Sequence, residues 1–261
     1  MPSVPLDPTP AGVPDLLRRL LTDDPGRPRL TWYGPDGERA EFSAKVLDNW
    51  VAKTANLLVE EVDAGPGSRV AIALPAHWRT VTWLLAAWST GACAVLVPAD
   101  AAPPDDADAV VAADPELLRA AATAPRAVTV AVALPVLARG YGPGLAEGAL
   151  DAVVEIRSRG DVFVPLVHPV ATDAALETPS GKIGHGELLP RAARAADHAG
   201  WPAGVRLLTD AGAERVLDEV VAPLLRLGSV VLHHDLPSLD EPARSALQDQ
   251  EGITAVAAPG R

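Results

Sequence analysis

Between residues 30 and 100 the sequence alternates short apolar runs with longer amphipathic ones, and this alternation restricts the fold more than any other feature. Leu30-Thr31-Trp32-Tyr33, a Gly34-Pro35-Asp36-Gly37 turn and Ala40-Glu41-Phe42 read as a strand pair. Ser43 is placed to cap a helix in which Val46, Leu47, Trp50, Val51, Thr54, Leu57 and Leu58 form one apolar stripe. Lys45, Asp48, Lys53 and Glu60 fall largely on its other side, and Gly65-Pro66-Gly67 is the expected stop. A nearly continuous apolar strand over residues 69–74 implies a sheet covered on both faces. A helix over 78–90, bearing Trp78, Trp83 and Trp88, and a strand over 92–97 follow. Strand, helix and strand at these lengths predict a right-handed parallel crossover.

The remainder continues the rhythm less clearly. Residues 1–14 predict an extended arm and 15–21 a short helix. Strands are expected over 109–112 and 127–134, with a helix over 115–122 between them. Gly140-Tyr141-Gly142-Pro143-Gly144 marks a loop, and 153–156 and 162–164 read as edge strands. Ala174-Ala175-Leu176 leads to a glycine turn at Ser180-Gly181 and a helix over 187–199. Strands over 205–209, 229–233 and 253–257 alternate with helices over 213–227, ended by Gly228, and 241–250. The expected fold is α/β: one layered, mostly parallel sheet with helices on both faces. Residues 1–261 are read as a single domain, with 135–150 the place where it could subdivide.

Composition narrows the partners. A formal net charge of −12 with no basic cluster argues against nucleic acid. No apolar run approaches the roughly 18 residues of a spanning helix, and no secretory signal is visible, so a cytoplasmic location away from membranes is expected. The one cysteine, Cys93, excludes an internal disulfide and reads as a small buried residue. Asp105, Asp106, Asp108 and Asp114 read as a solvated loop face rather than a metal site.

Two stretches carry a resemblance. The first runs from Val46-Leu47-Asp48-Asn49-Trp50 through Gly65-Pro66-Gly67-Ser68-Arg69-Val70-Ala71-Ile72, and the second is Gly91-Ala92-Cys93-Ala94-Val95-Leu96-Val97-Pro98. Together they resemble the N-terminal domain of the adenylate-forming superfamily, AMP-binding enzymes such as acyl-CoA synthetases. Nearly the whole chain is similar to short, AMP-binding-like actinobacterial proteins, more weakly after residue 100. The resemblance implies a fold equivalent to about the first half of that domain. It further implies a Ser-Gly-Thr-Thr-Gly-x-Pro-Lys-Gly loop wrapping the phosphates of ATP.

That slot holds Thr178-Pro179-Ser180-Gly181-Lys182-Ile183-Gly184-His185-Gly186-Glu187. Ser180, Gly181 and Gly184 match, Lys182 and Ile183 replace two hydroxyl residues, and Gly186 and Glu187 take the positions of the proline and lysine. A glutamate there repels phosphate. Three roles stay open: a loop that has lost its function, an altered anion or nucleotide site using Lys182 and His185, or an adenylation lysine resembling the superfamily's Thr-x-Ser-Gly-Lys-Ile segment. The cofactor-binding candidates are therefore Ser180, Gly181, Lys182, Gly184 and His185, with ATP or AMP and magnesium as the ligands the resemblance implies.

The superfamily's aromatic-Gly-x-Thr-Glu and Thr-Gly-Asp motifs, hinge and mobile C-terminal domain have no counterpart in these residues. Complete adenylation by the chain alone is not expected, since it needs charge stabilisation along the phosphates and a placed carboxylate. No serine-nucleophile elbow or dinucleotide fingerprint is present, and no catalytic residue is assigned. His233-His234-Asp235 at a strand end is a weak metal candidate, because neighbours on a strand face opposite ways. Trp78 and Trp201, if exposed, would mark a partner surface. The leading expectation is a non-catalytic module binding a ligand or protein. The alternatives are half of a split acyl-CoA synthetase-like ligase, or a scaffold that homo-oligomerises.

Overall fold

Residues 9–123 and 126–258 are described by the computed structural model. In chain order, α1 (Val13–Asp23) leads to β1 (Pro28–Tyr33), β2 (Arg39–Ser43), α2 (Ala44–Val62), β3 (Arg69–Ala73), α3 (Trp78–Thr90) and β4 (Cys93–Leu96). Next come β5 (Ala109–Ala112), α4 (Pro115–Ala121), β6 (Val128–Ala131), β7 (Leu150–Asp151) and α5 (Ala152–Ser158). The chain continues through β8 (Ala174–Thr178), β9 (Gly181–Gly184), α6 (His185–His198), β10 (Arg206–Thr209) and α7 (Ala222–Leu225). It closes with β11 (Ser229–His233), α8 (Glu241–Glu251) and β12 (Ala255–Val256).

The fold is α/β and mostly parallel, as expected, but its strands form two sheets rather than one. The larger has the order β7-β6-β5-β3-β4-β8-β9 and the smaller β12-β10-β11-β1-β2. Each is parallel except for one antiparallel hairpin at an edge, β8–β9 in the first and β1–β2 in the second. The expected crossover is present, with Val70 beside Ala94 in β3 and β4. The second sheet depends on a distant pairing: β11 inserts beside β1, setting Leu30 against Val230.

Helix α3 lies between the sheets, and all of its residues are buried. Its hydroxyls are accommodated there by donating to backbone carbonyls, Thr82 to Trp78 and Ser89 to Leu85 among them. One continuous core joins Leu30 and Trp32 of β1, Val230 of β11, Trp83 and Leu84 of α3, and Val70 and Ile72 of β3. Outside the larger sheet Ala71 and Val110 meet Ala121 of α4, while outside the smaller Leu208 and Val231 meet Leu247 of α8. Helix, sheet, helix, sheet and helix therefore stack as five layers.

Several boundaries depart from the sequence reading. Helix α1 starts at Val13, because Pro14 suits a first helical turn; residues 1–8 of the expected arm lie outside the described residues. Helix α2 ends in a left-handed turn at Asp63 (φ 55°), before the glycines. Residues 152–158 form a helix, not a strand, because the Asp151 carboxylate caps the amides of Val153 and Val154. Residues 162–164 belong to no regular element. The expected helix over 213–227 breaks into a 3-10 turn, a π turn over Leu217–Val221 and the short α7, around Pro223, which has no amide proton. Its left-handed residue is Leu227 (φ 53°) rather than Gly228. Gly228 serves close packing instead, since a Cβ there would lie 2.3 Å from the Val205 carbonyl oxygen.

Candidate functional site

The Ser180–Glu187 slot is a hairpin running into a helix. Strand β8 pairs with β4 on one side and β9 on the other, so the backbone of residues 181–184 is committed to the sheet edge. Ser180, Gly181 and Lys182 come together at the exposed tip, where the Thr178 and Ser180 hydroxyls lie 2.8 Å apart. Lys182 Nζ is 2.7 Å from Glu177 Oε2, and Arg69 donates to the same oxygen at 2.7 Å. The hydrogen bonds from Arg69 first, and Lys182 second, hold the Glu177 carboxyl down at about 2. Lys182 therefore has a carboxylate partner inside the protein.

Gly184 and His185 lie at the other end of β9, where α6 begins. A helix N-terminus is an anion site only while its amides are free. Here the His185 amide donates to the Asp173 carbonyl (2.9 Å) and the Gly186 amide to the Ala171 carbonyl (3.0 Å). The glycines permit that contact. A Cβ on Gly184 would lie 2.5 Å from the Ala171 oxygen, and one on Gly186 would lie 2.7 Å from the Ala171 Cβ. The His185 imidazole turns inward, and Nε2 donates to the Gly91 carbonyl at 2.9 Å. Burial lowers its pKa, favouring the neutral ring.

His185 also borders a cavity of about 820 Å³, which the sequence reading missed. Its walls come from α1, α2, α3, the start of α6 and the irregular strap over residues 162–171. Leu17, Val51, Trp88, Phe163 and Leu188 make it largely apolar. The strap is held to α2 by Asn56, which donates to the Gly160 and Val162 carbonyls at 3.0 Å each. Lys53 supports it through the Arg159 carbonyl (2.5 Å) and Asp161 (2.7 Å). Asp48, read as outward-facing, instead lines the cavity with Val51 and Ala52. Its spacing of three and four residues from these two was the available signal.

The other candidates have structural roles. Among the described residues no group of three potential donors could hold a metal. His233 Nδ1 accepts the Asp235 amide at 3.1 Å, and the two histidine rings stack at 4.9 Å. Asp106 and Asp108 bind the side chain and amide of Arg69, and Asp114 caps α4. Cys93 is buried, and burial raises its thiol pKa. Trp78 is buried against Phe42, Trp50 and Arg79, so it marks no partner surface; Trp201 is half-buried. No helix among the described residues is long and apolar enough to cross a membrane.

Comparison with known proteins places this geometry. The AMP-binding enzyme family pattern matches residues 17–142. The structure is similar to that of the Brucella canis acyl-CoA synthetase, with a TM-score of 0.74 and 18% identity, covering 97% of this chain and 48% of that one. Apo MatB from Rhodopseudomonas palustris gives a TM-score of 0.66 at 17% identity, over 94% and 49% of the two chains. The fold is thus that of an AMP-binding, acyl-CoA synthetase-like α/β domain, and the chain spans about half the length of those solved structures. A TIGR03089 family protein of Mycobacterium tuberculosis (strain ATCC 25618 / H37Rv) is 37% identical over 226 residues, covering 83% of this chain and 86% of that protein. The chain belongs to this family.

Proposed function

We propose that this chain is a ligand-binding member of the acyl-adenylating class that does not complete adenylation by itself. The observation that carries this reading is the internal use of the phosphate-loop slot. The two amides that open α6 are bonded to the Asp173 and Ala171 carbonyls, and Lys182 is paired with Glu177. Glu187, in the first turn of α6, adds a negative charge where phosphates would approach. The residues present do not fit the triphosphate of a magnesium-bound nucleotide. The apolar cavity beside His185 is the alternative place for a ligand. Its 820 Å³ lies within the roughly 300–1,000 Å³ typical of small-molecule sites.

The test is calorimetric titration with ATP and AMP, each with Mg²⁺, on the natural protein and on Lys182→Ala. No binding heat is expected from either protein at millimolar nucleotide. Pyrophosphate release from ATP in the presence of a carboxylic acid would overturn the proposal. Nucleotide binding abolished by Lys182→Ala would instead favour half of a split ligase, a reading motivated by the half-length match to the solved acyl-CoA synthetases.

A further inference from the structure

Asp48 gives the cavity a preference for one class of ligand. Asp48, half-buried on α2, lines the cavity together with Val51 and Ala52 of its own helix and Leu17 and Leu21 of α1. Burial raises its carboxyl pKa and the charge of Lys45 pulls it back, and none of the described residues gives the carboxylate a side-chain hydrogen bond. The remaining charged or titratable groups in the lining do not offset it. Arg18 pairs with Asp15 at 2.5 Å and is largely exposed, and His168 is exposed. His185 spends Nε2 on the Gly91 carbonyl, which leaves Nδ1 of the neutral ring as an acceptor.

The donors nearby are also committed. Trp88 Nε1 bonds the Ala175 carbonyl (2.9 Å), and the Ser89 hydroxyl donates to the Leu85 carbonyl (2.7 Å). The amides opening α6 face the carbonyls of Ala171 and Asp173. A carboxylate placed beside Asp48 would thus meet an acid and the His185 acceptor against a largely apolar wall, where an uncompensated charge is costly. An ammonium group would give Asp48 a hydrogen-bonding partner that none of the described residues supplies.

Resting on the ligand-binding reading above, we infer that the cavity binds an apolar primary amine, with the alkyl body against Leu17, Val51, Trp88 and Phe163 and the ammonium at Asp48. The site therefore selects against the carboxylic acids on which acyl-adenylating enzymes act.

Octylamine, octanol and octanoate serve as probes, with binding followed by calorimetry and by tryptophan fluorescence. Octylamine is expected to bind roughly tenfold or more tightly than octanoate, the scale of one charge-assisted hydrogen bond. Asp48→Asn, nearly isosteric and at a half-buried position, should erase that preference while leaving the melting temperature close to that of the natural protein. Ala52→Leu, which fills part of the cavity, should weaken octylamine and octanol together. Octanoate binding as tightly as octylamine, or an amine preference that survives Asp48→Asn, would overturn the headgroup assignment and leave an apolar ligand site. Failure of all three probes to bind would remove the cavity reading itself, and this inference with it.

Discussion

Glu251 shows how one side chain can tie distant strands together. It closes α8 with its carboxylate nearly buried, accepting from the Tyr33 hydroxyl (2.5 Å), Arg39 Nε (3.0 Å) and Arg206 (2.5 Å). Those partners lie on β1, β2 and β10, so a single acid connects three of the five strands of the smaller sheet. Burial pushes the carboxyl pKa up, but the hydrogen bonds from Arg39, Tyr33 and Arg206 outweigh it and bring it to about 2. The folded value lies below the unfolded one, so the contribution is fully present above about 4.5 and is lost as pH falls towards 2. Glu251→Gln should cost up to about 3 kcal/mol at pH 7 and much less near pH 2. Urea unfolding at a series of pH values measures this; an unchanged acid limb in the variant would show that Glu251 does not set it. Arg79 is the opposite case. It is buried against Trp78 (4.3 Å) and Trp50 (5.6 Å), and burial lowers its pKa to about 10.

At the level of elements, the hairpin and the start of α6 show what a motif can and cannot reveal. The glycines of the slot were visible in the sequence, but their purpose was not. Gly184 and Gly186 admit the backbone of residues 171–173 against the helix start, a contact made by a segment with no periodicity of its own. Gly184→Ala should therefore destabilise by about 1–3 kcal/mol through overpacking, against the small gain that Gly→Ala gives where space allows. Gly65→Ala is the control, because nothing lies within 4 Å of a Cβ there, and it should be neutral or slightly stabilising. Equal urea midpoints for the two variants would mean that the strap gives way.

A long periodic segment such as α2 was legible because burial of a helical face must repeat along the chain. Residues 152–158 were not, because Val153-Val154 satisfies a strand pattern as readily as a helix until the Asp151 cap is seen. The cavity was hidden for a similar reason. Asp48 is polar, and the strap that faces it across the cavity lies more than a hundred residues later in the chain.

For the whole molecule, pairing between strands distant in sequence decides the architecture. The alternation of elements predicted α/β layering, but not that β11, with its chain neighbour β10 on one side, would take the distant β1 on the other. That pairing makes the second sheet, and α3 is the layer both sheets share. Two sheets can mean two folding units or one. The shared core argues for one, because neither sheet can keep its inner face covered without α3. Trp83, which is 1% exposed, sits within that layer. Trp83→Ala should cost about 3–5 kcal/mol by leaving a cavity. If the sheets fold as one unit, tryptophan fluorescence and far-UV circular dichroism should lose signal in a single coincident transition, before and after the substitution. Two separated transitions, with only one moved by Trp83→Ala, would mean that α3 stabilises one sheet alone. The five layers would then be two independently stable parts joined by a weak seam.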